Sequence, residues 1–166
     1  GYIDEGDISS VVAGTNLSGG GTSGAVTLNL AIDSAVAFAD QTASAIILKD
    51  YAETDVAVTS ATTLAIDLAN GNTGTVTLGH NVTDIDFTNV PTNGISTFTL
   101  QVTQDGTGSR TMAINQVTVN GGSHATAKTP GGSGLTLSTA ASSIDLLTFL
   151  FVDAGTPLLN SLLDFS

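Results

Sequence analysis

Apolar and polar residues alternate along much of the sequence after residue 60, and this alternation determines which secondary structure the chain can form. In residues 63–68 every second side chain is a leucine or isoleucine, and residues 73–78 and 98–102 follow the same alternation with Val, Leu and Phe. A period of two places side chains on one face of a β-strand, whereas a helix brings apolar residues together every three or four positions. The pattern predicts strands, and Asn70-Gly71-Asn72 between the first two runs predicts a hairpin turn.

Short strands separated by turn residues extend this all-β prediction to the end of the chain. Residues 144–152 are nearly continuously apolar, which predicts a central strand buried on both faces, and a last strand is predicted over Leu158 to Phe165. The apolar phase shifts near Gln116, which indicates a β-bulge. Roughly eight strands joined by tight turns predict an antiparallel β-sandwich of jelly-roll type.

Charge and composition restrict the partners and the chemistry. The chain has 3 Lys and Arg against 15 Asp and Glu, a net charge of −12, which excludes duplex nucleic acid because backbone binding needs many cations. The sequence has no Cys, so a disulfide framework, a zinc-thiolate site and a cysteine nucleophile are excluded. No window has the roughly 18 continuous apolar residues of a membrane span, so membrane insertion is not expected.

The first part of the chain combines dense glycine with few large side chains. Short alternating runs at Val11-Val12 and at residues 26–32 predict strands on either side of the glycines. A strand pair this poor in apolar surface is not stable alone in water, so we expect it to pack against other copies of the chain. The predicted oligomerisation residues are Gly19, Gly20, Gly21, Gly24, Val26, Leu28 and Leu30.

The sequence therefore predicts two parts. Residues 1–51 form a Gly-rich oligomerisation and attachment segment, which ends in a connector over 33–51 with a short strand at 46–48. Residues 52–166 form the β-sandwich domain.

The candidate catalytic and metal-binding residues are few. His80 and His124 lie far apart beside turn residues, which is typical of exposed loop histidines. Asp84 and Asp86 share one strand face, the arrangement of a paired-carboxylate glycosidase or a calcium site, but a solvated outer sheet face explains them more simply. No lysine follows the glycines as in a phosphate loop, and Gly-x-Ser-x-Gly does not occur. We expect no catalytic, cofactor-binding or metal-binding residues and no enzyme activity.

Two stretches of the chain resemble bacteriophage proteins. Gly6-Asp7-Ile8 and residues 12–28 resemble the stem segments of tail-fibre proteins, especially those of marine and cyanobacterial phages. The rest is similar to a small β domain common in predicted structural proteins of the same phages. The motifs that carry this second resemblance are Tyr51-Ala52-Glu53, Ala65-Ile66-Asp67-Leu68, Gly71-Asn72, Phe98-Thr99-Leu100, Gly131-Gly132, Leu135-Thr136-Leu137, Asp145-Leu146-Leu147-Thr148-Phe149 and Asp164-Phe165-Ser166.

The sequence departs from that family at two places. Residues 156–159 replace an aromatic pair that usually follows the last turn, and residues 121–124 lie where the family carries Trp and Pro. The resemblance implies a homotrimeric virion component of fibre or decoration type without catalytic residues. We therefore expect a tail-fibre component whose Gly-rich segments intertwine and whose β-domains pack around a threefold axis.

Host attachment would use the loops at 104–108 and 120–134. The candidate receptor-facing residues are Gln104, Asp105, Thr107, Ser123, His124 and Lys128. The expected partners are further copies of the chain, other virion proteins, and a host-surface glycan or protein. Glycan binding is the weaker expectation, because sugar sites usually stack on aromatic rings and aromatics are only 5% of this chain.

Three alternatives remain open at this point. The chain could be a capsid-surface decoration or head-fibre protein, which has the same sequence requirements as a tail fibre. It could be a bacterial extracellular adhesin or filament subunit, which would also be acidic and free of Cys. A polysaccharide depolymerase would need Asp84 and Asp86 as its carboxylate pair. The expected location is the virion surface or, for the adhesin, the extracellular space.

Overall fold

The computed structural model describes residues 10–30, 45 and 47–165, which divide into two compact units with the boundary between residues 49 and 50. The described residues form eleven β-strands and two short 3-10 helices, with no α-helix, so the all-β prediction is confirmed. Within that part of the chain, no helix has the length and apolar character needed to cross a bilayer. Most of the connector predicted at 33–51 lies outside the described residues.

The smaller unit contains a three-stranded antiparallel sheet. Its strands are β1 (Val11–Val12), β2 (Leu17–Gly21) and β3 (Leu28–Leu30), in the order β1-β2-β3. The sequence predicted the two outer strands but placed the glycines in a loop between them. Instead, Gly19, Gly20 and Gly21 belong to the central strand, because a backbone without Cβ atoms lets both neighbouring strands approach closely.

The larger unit contains two sheets. Its strands are β4 (Asp55–Ala57), β5 (Thr63–Asp67), β6 (Thr73–Leu78), β7 (Asp84–Thr88), β8 (Ile95–Gln104), β9 (Val117–Val119), β10 (Ile144–Val152) and β11 (Leu158–Phe165). The five-stranded sheet has the order β11-β10-β8-β6-β4, and the three-stranded sheet has the order β5-β7-β9. From β4 to β9 the chain therefore places successive strands alternately in the two sheets.

This alternation makes much of the pairing parallel. β4, β6 and β8 pair in parallel, as do β5, β7 and β9, and only β8–β10 and β10–β11 are antiparallel in this described unit. The prediction of uniformly antiparallel jelly-roll pairing is wrong for the four parallel ladders. Parallel neighbours need a crossover connection, and here each crossover contains a strand of the opposite sheet.

The hairpin predicted around Asn70-Gly71-Asn72 is also wrong. The chain turns there through a 3-10 helix, Leu68–Asn70, that passes from β5 in one sheet to β6 in the other. The side chain of Asp67 holds this corner by accepting hydrogen bonds from Ala69 N at 2.9 Å and from Asn89 Nδ2 at 2.7 Å. A turn sequence thus specifies that the chain reverses direction, but it does not specify which strand becomes the partner.

One core lies between the two sheets. Phe87 of β7 is fully buried and its ring centroid lies 6.2, 5.0 and 4.9 Å from those of Phe98, Phe149 and Phe151 in the five-stranded sheet. These edge and tilted contacts are the favourable arrangements for aromatic pairs. The other fully buried large apolar residues are Leu64, Ile66, Leu78, Val82, Ile85, Leu100 and Leu147.

The structure corrects two predictions about individual strands. β10 is buried on one face only, since its residues alternate between buried and half-buried up to an exposed Val152. The apolar phase shift near Gln116 is not a bulge, because Met112 precedes β9, which starts at Val117. The bulge lies instead in the β10–β11 ladder, between the Ile144 and Leu146 positions.

Candidate functional site

The glycines predicted for oligomerisation have a role within one chain. Gly19 and Gly20 have φ of +104° and +118°, and a Cβ atom would lie 2.2 Å from Thr27 O at Gly19 and 2.6 Å from Val11 O at Gly20. Gly24 has φ of +68°, and a Cβ there would meet no atom within 4 Å. The sheet therefore requires glycine at two positions of β2, whereas Gly24 has open space around it.

The apolar residues of this small sheet remain uncovered. Val12 is 85% exposed and Leu30 is 72% exposed, and Leu17 and Leu28 are also exposed, while Val26 is half-buried. No residue between 10 and 30 is buried. The sheet has backbone pairing on both sides of β2 but no hydrophobic core of its own, so its apolar side chains are free to contact another surface.

The first candidate receptor loop is an internally bonded structure. Gln104 is only 2% exposed at the end of β8, and its side chain binds Arg110 twice: Nε2 donates to Arg110 O at 2.9 Å, and Arg110 N donates to Oε1 at 2.8 Å. The assignment of Gln104 to a receptor-facing surface is therefore wrong. The Gln104 amide can bind both the carbonyl and the N–H of Arg110 because it carries a donor and an acceptor. These two hydrogen bonds close the loop.

Asp105 completes the same loop. Its carboxylate accepts hydrogen bonds from Thr107 N and Gly108 N, each at 2.9 Å, and from Arg110 Nε and an Arg110 terminal nitrogen at 3.0 and 2.6 Å. The Arg110 hydrogen bond is the main reason that the pKa of Asp105 lies below its ordinary value of 3.8. Of the three residues predicted for this loop, Thr107 alone is exposed. The hydrogen bond described for it is made by its backbone N–H.

The second candidate loop presents more side chains to solvent. Ser123, His124 and Lys128 are all exposed. The loop begins at Asn120, whose side chain accepts from Val90 N at 3.0 Å and donates to Val90 O at 2.8 Å. Lys128 is held through its backbone, since its N–H donates to Pro157 O and its carbonyl accepts from Leu159 N. Its side chain stays at the surface while its backbone extends the β11 edge.

A surface hollow of about 660 Å³ lies beside this second loop. Its lining includes Met112, Ile114, Thr126, Lys128 and Leu135. The hollow is therefore lined by aliphatic and short polar residues with one lysine, and it could accept a small group from a partner. It offers no cluster of titratable side chains.

The carboxylate pair considered in the sequence lies on the outer face of β7. Asp84 and Asp86 are half-buried and alternate with the buried Ile85 and Phe87. Asp84 Oδ1 is shielded from solvent, makes no hydrogen bond, and lies 3.4 Å from His124 Nε2. This contact is an ion pair when His124 is protonated. Among the described residues, no three His, Asp or Glu side chains are grouped to hold a metal ion.

One polar residue that the sequence analysis missed is Asp145. It is 1% exposed and accepts hydrogen bonds from Ser138 N at 2.8 Å, Ser138 Oγ at 2.6 Å and Asp164 N at 3.0 Å. A buried carboxylate of this kind needs its partners, because removing them leaves an unpaired charge. Asp145 therefore ties the preceding loop and the end of β11 to β10. A single carboxylate within the apolar run 144–152 was the available signal.

A second apolar surface, which the sequence pattern did not indicate, is the one we call the C-terminal apolar face. It is the outward side of β8, β10 and β11. Its exposed members include Ile95 at 70%, Leu162 at 55% and Phe165 at 47%. The apolar residues that define it are Ile95, Ile144, Leu146, Leu150, Val152, Leu158, Leu162 and Phe165. It was missed because the apolar run of β10 predicted burial on both faces.

The described residues thus offer two uncovered apolar surfaces, one in each unit. Comparison with protein families, curated proteins and solved structures finds no match to this chain.

Proposed function

We propose that this chain is a structural, non-catalytic subunit of a phage virion: a homotrimeric tail-fibre component that takes part in host attachment. The observation that carries the proposal is the sheet of residues 10–30, which has three strands and no buried residue. Side chains such as Val12 and Leu30 lose contact with water only if another surface covers them. The resemblance to phage fibre stems supplies the virion context.

Copies of the chain itself are the partners that best fit this sheet. Residues 10–30 contain no charged side chain, although the whole chain carries a net charge of −12. Two copies can therefore bring these segments together without placing like charges opposite one another. Burial of apolar surface contributes roughly 25 cal/mol for each Å² removed from water, which compensates for ordering a segment that has no core.

The attachment role is assigned to the exposed loop around Ser123 and His124. This loop is anchored at Asn120 and at Lys128 by the hydrogen bonds given above, so its tip is presented on a fixed base. Residues at such positions can vary without disturbing the core, which is why binding residues are commonly placed on loops of a rigid scaffold. The loop at 104–110 has a structural role instead, because its polar groups bind one another.

Sedimentation velocity of the full chain tests the self-association directly. A trimer that persists at low micromolar concentration is the expected result, and a monomer at all concentrations would refute the proposal. Immunogold labelling and mass spectrometry of purified virions test the location. Labelled tails support the tail fibre, whereas labelled capsids favour decoration and unlabelled particles favour a bacterial protein.

A competition experiment tests attachment. Purified chain should reduce phage adsorption to host cells, and Ser123→Arg should weaken this competition because it alters the tip of the presented loop. Thr88→Arg is a matched control, since Thr88 is exposed on the outer side of β7. Equal competition by both variants and the parent would contradict the assignment of the 120–134 loop to host attachment.

A further inference from the structure

The C-terminal apolar face is ordered in rows across three strands. Leu150 of β10 lies opposite Leu158 of β11, and Leu146 lies opposite Leu162. At the end of the ladder, Ile144 pairs with Phe165 beyond the bulge. A polar row, Thr148 opposite Asn160, separates the two leucine pairs. On the other side of β10, the facing residues on β8 include Thr97 and Gln101, so the face becomes uncharged polar toward the middle of the sheet.

This face carries little charge. β8, β10 and β11 contain two carboxylates: Asp145, which is buried within the molecule, and Asp164, which is exposed in the bulge at one end of the face. Lys128 lines a hollow at the other end. Acidic side chains lie on other surfaces, such as Asp55 at the opposite edge of the same sheet and Asp86 on the second sheet. A basic partner would be attracted to those acidic surfaces. An apolar face bordered by one acidic and one basic residue has no excess of negative charge, so it suits a partner that is itself acidic, namely a second copy.

The edge of β11 is unsuited to strand addition. The backbone of Lys128 occupies its start through a parallel bridge to Leu158, and the bulge distorts its end. Covering and bulging are two ways in which proteins prevent edge strands from pairing with other chains. A partner therefore meets the sheet on its face and not along its edge.

Two hollows make the surface of the face uneven. One of about 430 Å³ is lined by Lys128, Leu150 and Leu158 together with polar residues such as Asn160. One of about 250 Å³ is lined by Gln101, Ile144, Leu146 and Phe165. Projecting side chains such as Leu162 stand between them along β11. Leucines of a neighbouring copy could enter such hollows, as in well-packed interfaces.

The size of the face sets the strength of the contact. Three strands of 8 to 10 residues cover about 400 Å² of sheet, given about 3.3 Å per residue and 4.8 Å between strands. Covering this face with an equal area of a neighbouring copy buries about 800 Å² in total, less than the roughly 1,200 Å² at which stable interfaces begin. The face therefore supports assembly together with a second contact, and the small N-terminal sheet supplies one.

We propose that the C-terminal apolar face is a contact between copies of this chain, so that the larger unit contributes its own interface to the assembly. The inference rests on the proposed self-association. It adds the location of the interface, with Leu150, Leu158 and Leu162 at its centre and Ile144 and Phe165 at one end.

The absence of cysteine from the sequence makes a direct test possible. Leu162→Cys places a single thiol on the face, and Thr88→Cys places a matched exposed thiol on the outer side of the second sheet. A short bis-maleimide should join two copies of the full-length Leu162→Cys chain in high yield and leave Thr88→Cys largely uncrosslinked. Equal yields from the two variants would overturn the inference.

A second variant separates this inference from the proposed function. Leu162→Asp introduces a charge at an exposed position, where the fold tolerates it, and should raise the concentration at which the full chain dissociates by at least tenfold. An oligomer that persists unchanged in Leu162→Asp, together with unselective crosslinking, refutes the interface but leaves self-association standing. A parent chain that is monomeric throughout refutes both.

Discussion

Substitutions at Gly20 and Gly24 distinguish a glycine needed within one chain from a glycine needed between chains. At Gly20, φ is +118° and an alanine Cβ would lie 2.6 Å from Val11 O, closer than Cβ atoms approach in real structures. At Gly24, φ is +68° and the added atom would meet nothing within 4 Å. Asparagine tolerates this left-handed conformation, so Gly24→Asn is the matched control.

The expected penalties follow from these two environments. Gly20→Ala combines an unfavourable backbone conformation with a steric clash, for a total of about 2 to 4 kcal/mol per chain, whereas Gly24→Asn costs about 1 kcal/mol or less. Because the sheet has no core of its own, we expect it to order only on assembly. The penalty then enters three times in a homotrimer, so Gly20→Ala should weaken assembly by at least about 6 kcal/mol. Because three chains associate at once, the midpoint concentration of assembly should rise roughly 100-fold.

Sedimentation velocity over a concentration series measures this midpoint, and thermal unfolding of the larger unit serves as the folding control. Gly20→Ala should shift the midpoint strongly, and Gly24→Asn should leave it nearly unchanged. If Gly24→Asn dissociates the assembly as much as Gly20→Ala does, then Gly24 lies in a close contact between chains and the prediction is wrong. It is also refuted when neither variant changes the midpoint.

Two further predictions concern the larger unit. Phe87→Ala should lower the unfolding free energy of this unit by about 3 to 5 kcal/mol in urea titrations, because Phe87 joins the two sheets. Phe87→Leu should lower the unfolding free energy less. Similar losses from the two variants would show that the ring contacts contribute little. Asp105 has a lowered pKa, so its contribution to stability is complete above about pH 4 and is lost as pH falls through the lowered value. Asp105→Asn should therefore flatten the fall in melting temperature below about pH 4 relative to the parent, and parallel pH profiles would contradict this role.

The strands could be predicted from the sequence, but their partners could not. Alternation in residues 63–68 and 73–78 identifies β5 and β6, because side-chain period depends only on local geometry. Pairing depends on residues far apart in the chain, such as Thr73 with Thr99. The corner held by Asp67 and Asn89 sends the chain into the opposite sheet, and nothing in residues 70–72 alone distinguishes that path from a hairpin.

Polarity alone also misassigned individual side chains. Gln104 follows an alternating strand and precedes Asp105-Gly106, so it was predicted to be a loop residue on the surface, yet its amide is buried because Arg110 supplies both a donor and an acceptor. The reverse error occurred in β10, where Leu146 and Leu150 were predicted to be buried and are only half-buried. A sequence shows which side chains need a partner, but the fold decides whether that partner lies in the same chain.

The same distinction explains why both units leave apolar residues uncovered. In the smaller unit the backbone of β2 is paired on both sides, and yet Val12 and Leu30 remain exposed. In the larger unit Phe87 and its neighbours complete a core, and yet Leu162 and Phe165 project outward from the same strands that close it. Each unit pairs its strands within the chain and, in the proposed assembly, leaves part of its hydrophobic burial to another copy. Residues 10–30 carry no charge, and the C-terminal apolar face is bordered by one acidic and one basic residue, so in a chain of net charge −12 self-association can cover both surfaces without bringing rows of carboxylates together.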